Sequence, residues 1–333
     1  MAIRRRVPLV IAILALLVIP ALVEAQESRL VRLSYSSGWD ALPAVVAIER
    51  GFFEQEGLIV SGLAVSSAEA VINSLVAGST DLASVPQRTL LIMAAADVPV
   101  KVVALAGWGT EMELVARPDS GIRTLGDIKG KKVAITRGSE AFPVLIRLLN
   151  QAGLRPQDIE LQQISGDEIT QAFAKATADA VFETRHFTSA LVQTSGAAVV
   201  LAPNDVVKAV GSFAGRPLVA GNKVIEKEPE TMQRAVTAWV KALKYIEQDP
   251  DDAARLLQIF FHRQGVQLTT EMAKSWVEMT RYDRYVWSDA AVTDAEYNGW
   301  ALQAGNILKV APKLGGHVEN RFATAAARAL EGS

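Results

Sequence analysis

The chain of 333 residues contains no cysteine. That one absence removes disulfides, a thiolate nucleophile, cysteine-type zinc sites and iron–sulfur clusters. Histidine is scarce. His186, His262 and His317 are the whole supply, and no two stand at the H-x-x-x-H spacing of a helical metal pair. No metal site and no cofactor are expected. No P-loop, G-x-S-x-G or G-x-G-x-x-G occurs either, which leaves phosphate-cradle and nucleophile-elbow chemistry without a visible seat. A large charge of one sign is also missing, with 34 basic against 36 acidic residues. Without residues 1–25 the balance is 31 against 35, a net charge of −4. Such a surface has no basic surplus for nucleic acid or an anionic membrane, so neither is expected as a main partner.

What is present begins with a three-part leader. Arg4, Arg5 and Arg6 precede an apolar stretch from Val7 to Val23, and Val23-Glu24-Ala25 places small residues at the two positions a signal peptidase reads. Pro8 and Pro20 interrupt the stretch, which is short for a bilayer span. The pattern predicts a cleavable signal peptide over 1–25 and a mature protein exported to a bacterial periplasm. Lacking cysteine, the mature chain can carry no lipid anchor there.

Length and a hydrophobic share of 50% suit two α/β lobes better than one core. Alternating and apolar runs predict strands at 31–35, 58–65, 82–85 and 100–106, with helices between them closed by Gly51 and Gly78. Ser66 and Glu69 stand three apart as a capping box. A second unit repeats the plan, with strands at 132–136, 159–164, 180–182 and 199–201. Strand–helix–strand units of this length imply parallel pairing in doubly wound sheets. After a return strand at 217–220 the tail is helical and is expected to pack on the first lobe. Residues 26–115 with 217–333 then form lobe I, and 116–216 form lobe II. The chain crosses near Leu114–Pro118 and near Arg216–Gly221, making a two-crossing hinge with a ligand cleft between the lobes.

Three segments carry a family resemblance. They are Asp40-Ala41-Leu42-Pro43 followed by Glu49-Arg50-Gly51-Phe52-Phe53-Glu54-Gln55-Glu56-Gly57-Leu58, then Leu75-Val76-Ala77-Gly78-Ser79-Thr80-Asp81-Leu82-Ala83, then the stretch from Asp119 to Ala134 that contains Leu125-Gly126-Asp127-Ile128-Lys129-Gly130. In this order they resemble the nitrate/sulfonate/taurine-type substrate-binding proteins of ABC transporters, a pattern shared with thiamine-precursor proteins. The resemblance implies a two-lobe periplasmic binding protein of type II, monomeric, with a small-molecule ligand and an ABC permease as partners. The chain departs from the pattern at Thr177-Ala178-Asp179-Ala180 and at Phe182-Glu183-Thr184-Arg185, so no one ligand specificity transfers.

Ligands of open α/β sheets sit beyond the carboxyl ends of the strands. In the first lobe this nominates Ser37, Trp39 and Asp40, Ser67 after the second strand, Gln87 and Arg88 after the third, and Trp108 after the fourth. In the second it nominates Thr136, Arg137, Gly138 and Ser139, then Glu183 and Arg185. Each has a plainer alternative. A serine there can be only a helix cap, a tryptophan only core, and Glu183 with Arg185 only a mutual ion pair. Serine, threonine and arginine at helix starts suit an anion, and tryptophans suit an apolar body. A small organic anion, carboxylate or sulfonate, fits both. Arg137→Ala is expected to weaken ligand binding more than stability. A periplasmic sensor partner is the alternative role. An enzyme on the same fold is disfavoured by the missing cysteine and few histidines.

Overall fold

The computed structural model describes residues 29–331 apart from 66, 140 and 211–214. The expected leader, the Ser66 cap, Glu140 and the side chain of His186 lie outside the described residues. Strand β1 (Arg29–Ser36) leads through α1 (Leu42–Glu49) and the short α2 (Phe52–Gln55) into β2 (Leu58–Val65). Gly51 and Gly57 flank α2 with φ of 65° and 68°, a region open to glycine without steric cost, and Phe53 between them is fully buried. The chain continues through α3 (Ala68–Ala77), β3 (Leu82–Ser84), α4 (Gln87–Ala95) and β4 (Val100–Gly107). A second run follows: β5 (Met112–Ala116), β6 (Lys132–Thr136), α5 (Ala141–Gln151), β7 (Glu160–Ile164), α6 (Gly166–Ala174), β8 (Ala180–Thr184), α7 (Arg185–Ser195), β9 (Ala198–Leu201) and α8 (Pro203–Val210).

β10 (Arg216–Gly221) rejoins the first sheet, whose order is β2-β1-β3-β10-β4; the second sheet runs β7-β6-β8-β5-β9. The two are mixed sheets of the same plan. β1 pairs in parallel with β2 and β3, and β6 with β7 and β8. The one reversed strand of each sheet arrives from the other: β10 is antiparallel to β3 and β4, and β5 to β8 and β9.

β5 corrects the expected first crossing. The sequence placed it near Leu114–Pro118, with the unit boundary after 115. Met112–Ala116 instead pair wholly within the second sheet, so the chain leaves the first sheet across residues 108–111. The run Met-Glu-Leu-Val-Ala satisfies a strand in either sheet; long-range pairing alone decides between them. α8 still packs in the second core through Val206 and Val210, so the return follows it and ends where β10 begins, beside the expected Arg216–Gly221.

Each sheet is covered on both faces. Val103 and Ala104 join the core under α1, whereas Val102 and Leu105 join the core under α3 and α4. In the second sheet Val133 and Ile135 face one layer and Ala134 the other. The tail supplies α9 (Asn222–Lys227), α10 (Pro229–Gln248), α11 (Pro250–Arg263), α12 (Thr270–Glu278), α13 (Asp289–Ala304) and α14 (Arg321–Glu331). α10 buries the expected face: Met232, Val236, Trp239, Val240, Leu243 and Ile246 are all at most 1% exposed. Each such side chain contributes about 1.5–3 kcal/mol of transfer energy. The Trp239 indole also donates to the Leu105 carbonyl at 3.0 Å, which satisfies its one buried donor. α13 packs on α4 of the first unit and also on α5 of the second. There Arg147 of α5 pairs with Asp294 of α13 at 2.7 Å and lies 4.4 Å from the Tyr297 ring centre.

Candidate functional site

The carboxyl ends of β1, β2 and β3 open into a pocket of about 300 Å³, whose lining includes Ser36, Val65, Ser67, Ser84, Pro86 and Arg88. Local sequence builds it. Gly38 donates its backbone N–H to Ser36 Oγ at 2.9 Å and starts a helical turn over Trp39–Ala41. Ser67 caps α3: its Oγ accepts the Ala70 N–H at 3.1 Å. α3 and α4 direct their N-terminal, positive dipole ends to this side. Their direction suits an anionic group. Ser37 is tied back to β2, donating its N–H to the Val65 carbonyl at 3.2 Å. Asp40 folds over the turn so closely that a methyl group on Gly38 would meet Asp40 Oδ1 at 3.0 Å. Gln87 is buried, and its Oε1 accepts from Asn298 of α13 at 2.7 Å.

The turn after β6 approaches Arg88, one of the lining residues. Gly138 has φ +70°, and a methyl placed on it would sit 3.7 Å from the Arg88 guanidinium and 3.7 Å from Ile307. This approach brings the carboxyl ends of the two sheets together. Glu183, 2% exposed, pins the turn from below: its Oε1 accepts from Thr136 N–H at 2.9 Å and Ser139 Oγ at 3.2 Å, and its Oε2 from Thr184 N–H at 3.0 Å. A buried carboxylate needs such donors to offset lost hydration. Thr136 Oγ1 is buried and without a hydrogen-bond partner among the described residues.

Two arginines of the second unit turn back on their own sheet. Arg137 is exposed, and its Nε and Nη2 donate to the Gln163 carbonyl at 3.1 and 2.9 Å. Arg185 does not pair with Glu183, the alternative raised from the sequence. Its Nε contacts Glu113 Oε2 at 3.2 Å, and Glu113 also accepts from Thr188. The reason is the antiparallel pairing of β5 with β8, which sets Glu113 opposite Glu183. No spacing along the chain encodes that partner.

Both nominated tryptophans are covered by an arginine. The Arg216 guanidinium lies 3.8 Å from the Trp39 ring centre, donates to Thr280 Oγ1 at 3.0 Å and pairs with Glu111. Trp108 is 9% exposed and its indole N–H donates to Asp283 at 2.5 Å. Arg284 lies 3.6 Å from its ring centre and Arg281 5.1 Å. Glu111, Arg216 and Arg284 escaped sequence reasoning. They lie on the passages and in the tail, where neither motif nor period marks them. Burial with the Arg216 guanidinium nearby still leaves the Tyr282 phenol well above the usual tyrosine range, because desolvation is the larger effect.

Comparison with known proteins places this geometry. A Brucella abortus (strain 2308) sequence with only a provisional binding-protein name is 23% identical over 302 residues, covering 90% of this chain and 91% of that one. The taurine-binding periplasmic protein of Escherichia coli K12 is 22% identical, over 68% of this chain and 70% of that one. In structure the chain is similar to the periplasmic aliphatic sulphonate binding protein SsuA of Escherichia coli, with a TM-score of 0.73, 19% identity, and coverage of 88% and 92%. It is also similar to the desulfurization enzyme DSZB, with a TM-score of 0.63, 16% identity, and coverage of 90% and 99%. A family model described as NMT1/THI5 like matches residues 39–253. That span holds both sheets except for β1, along with the pocket lining except for Ser36, and the chain therefore belongs to the NMT1/THI5-like family.

Proposed function

We propose that this chain is the solute-binding component of an ABC importer. Exported to the periplasm as a monomer, it holds a small organic anion between two lobes and passes it unchanged to a permease. One observation carries the proposal: Arg88, which lines the pocket at the carboxyl ends of β1–β3, lies against the Gly138 turn of the other sheet, so the two units meet beside that pocket. A ligand closes two lobes only by contacting both, because it shifts the equilibrium by its differential affinity. The outgoing passage at 108–111 and the return that ends where β10 begins at Arg216 are the hinge in this account, with 26–111 and 216–333 as one lobe and the intervening residues as the other. The names of the taurine and sulphonate relatives support an oxyanion solute.

The enzyme alternative has DSZB on its side, a relative of the same fold. A cysteine-to-serine variant of DSZB is known in complex with biphenyl-2-sulfinic acid; the present chain has no cysteine to supply equivalent chemistry. A thermal-shift screen of small organic acids against the mature protein tests the proposal, since a ligand at a hundred times its Kd stabilises the folded state by about 2.7 kcal/mol. The expected result is a raised melting temperature with at least one acid. A response only to neutral or cationic compounds would remove the anion, and turnover of the hit would remove the transport role.

A further inference from the structure

The two covered tryptophans invite comparison. Arg216 over Trp39 is neutralised, with Glu111 as its ion partner and Thr280 as a second acceptor. Arg284 stacks on Trp108 in the same way, yet no carboxylate or other acceptor contacts its guanidinium among the described residues. The neighbouring charges are already matched. Arg281 pairs with Asp283 at 2.7 Å, and Arg147 with Asp294 at 2.7 Å. Among these five described side chains three guanidiniums stand with two carboxylates, and the exposed Arg284 carries the surplus positive charge.

That surplus borders a second pocket of about 190 Å³, lined by Gln87, Trp108, Gly215, Arg284, Ser288 and Asp294 among others. It flanks the Pro86–Arg88 segment, whose other side lines the larger pocket. Trp108 follows β4 and Gly215 precedes β10, so this pocket lies beside both connections between the sheets. Stacking on an indole restrains a guanidinium and leaves its N–H edge directed outward, the arrangement suited to a planar or tetrahedral oxyanion.

We propose that Arg284, held on the Trp108 ring, is the specificity residue that receives the oxyanion head of the solute. The inference rests on the solute-binding function proposed above and assigns its anion recognition to the tail. Trp108 then acts as the platform for Arg284 instead of stacking on the solute itself.

The test is calorimetric titration of the mature protein and its Arg284→Ala and Arg284→Lys variants. The probes are propane-1-sulfonate and butyrate, with propane-1-sulfonamide and butyramide as neutral counterparts. Wild type should bind at least one anion and discriminate against its neutral counterpart. Arg284→Ala should weaken the anion roughly tenfold to a hundredfold, with Arg284→Lys between the two. Wild-type affinity should fall with added salt, and the alanine variant's should respond less. Equal anion affinity in wild type and Arg284→Ala would overturn the anchor while leaving solute binding intact. Binding of the neutral compounds alone would overturn the anchor and the anionic class together. No binding of any probe by wild type would count against the solute-binding function itself for solutes of this size.

Discussion

Arg216 and Glu111 form an ion pair that joins the two passages of the chain between the sheets, with their side chains only 13% and 6% exposed. Glu111 stands on the outgoing passage, and Arg216 begins the strand that returns. Removing one partner of such a pair leaves the other charge buried with that attraction lost. Arg216→Met should cost about 3–5 kcal/mol in urea unfolding, and adding Glu111→Gln should recover part of it. A loss below about 1 kcal/mol, the range of an exposed pair, would show the bridge to be unimportant.

Glu183 organises the turn that faces the first sheet, so its removal should be felt there. Glu183→Gln keeps the shape but replaces one acceptor oxygen by a donor. Its expected cost is about 1–3 kcal/mol, measured by chemical denaturation, because a backbone or hydroxyl donor loses its partner. Arg137→Ala, by contrast, alters an exposed side chain and should stay within about 0.5 kcal/mol. Equal effects on stability would contradict the roles assigned to the two.

Arg147 reaches from α5 of one unit to Asp294 and Tyr297 of α13 on the other. A partly exposed ion pair and a cation–π contact together are worth about 1–2 kcal/mol. Arg147→Ala should release that restraint and raise the radius of gyration of the ligand-free protein in X-ray scattering, with helix content unchanged. Superimposable scattering curves would mean that the contact does not restrain the lobes.

Asp252 offers a pH test of the first unit. Burial alone would raise its pKa, but hydrogen bonds from Arg50, Arg255 and Tyr245 outweigh burial and hold it below the usual aspartate value. A depressed folded pKa adds stability that is present above the unfolded value, about 3.9, and is lost as pH falls through the folded value. Asp252→Asn should therefore lower the melting temperature at pH 7, with the deficit shrinking below about pH 4. A deficit independent of pH would point to packing alone.

Local chemistry made most of the fold legible. Gly51 and Gly78 closed helices where expected, and the period of α10 named its buried face. Of the residues nominated beyond strand ends, Ser67 and Arg88 line one pocket and Gly138 lies near Arg88. Partners set by sheet order were not legible. Glu113 takes Arg185 because β5 lies beside β8, and β5 joins the second sheet by pairing that its five residues do not encode. Trp39 and Trp108 were recognisable as strand-end aromatics, but Arg216 and Arg284, which cover them, come from positions 177 and 176 residues further along. Within the helical tail the bounds of the last helix, α14, which packs on α10, were not legible.

The absence of cysteine allows a direct measurement of the central claim. Spin labels on Asn73→Cys in α3 and Gln171→Cys in α6, both exposed, report the separation of the two units by pulsed dipolar spectroscopy. With the best organic acid from the thermal-shift screen, the interlobe distance distribution should narrow and shift, and the acid should be recovered chemically unaltered. An identical distribution with and without the bound acid, or recovery of a converted product, would contradict the account.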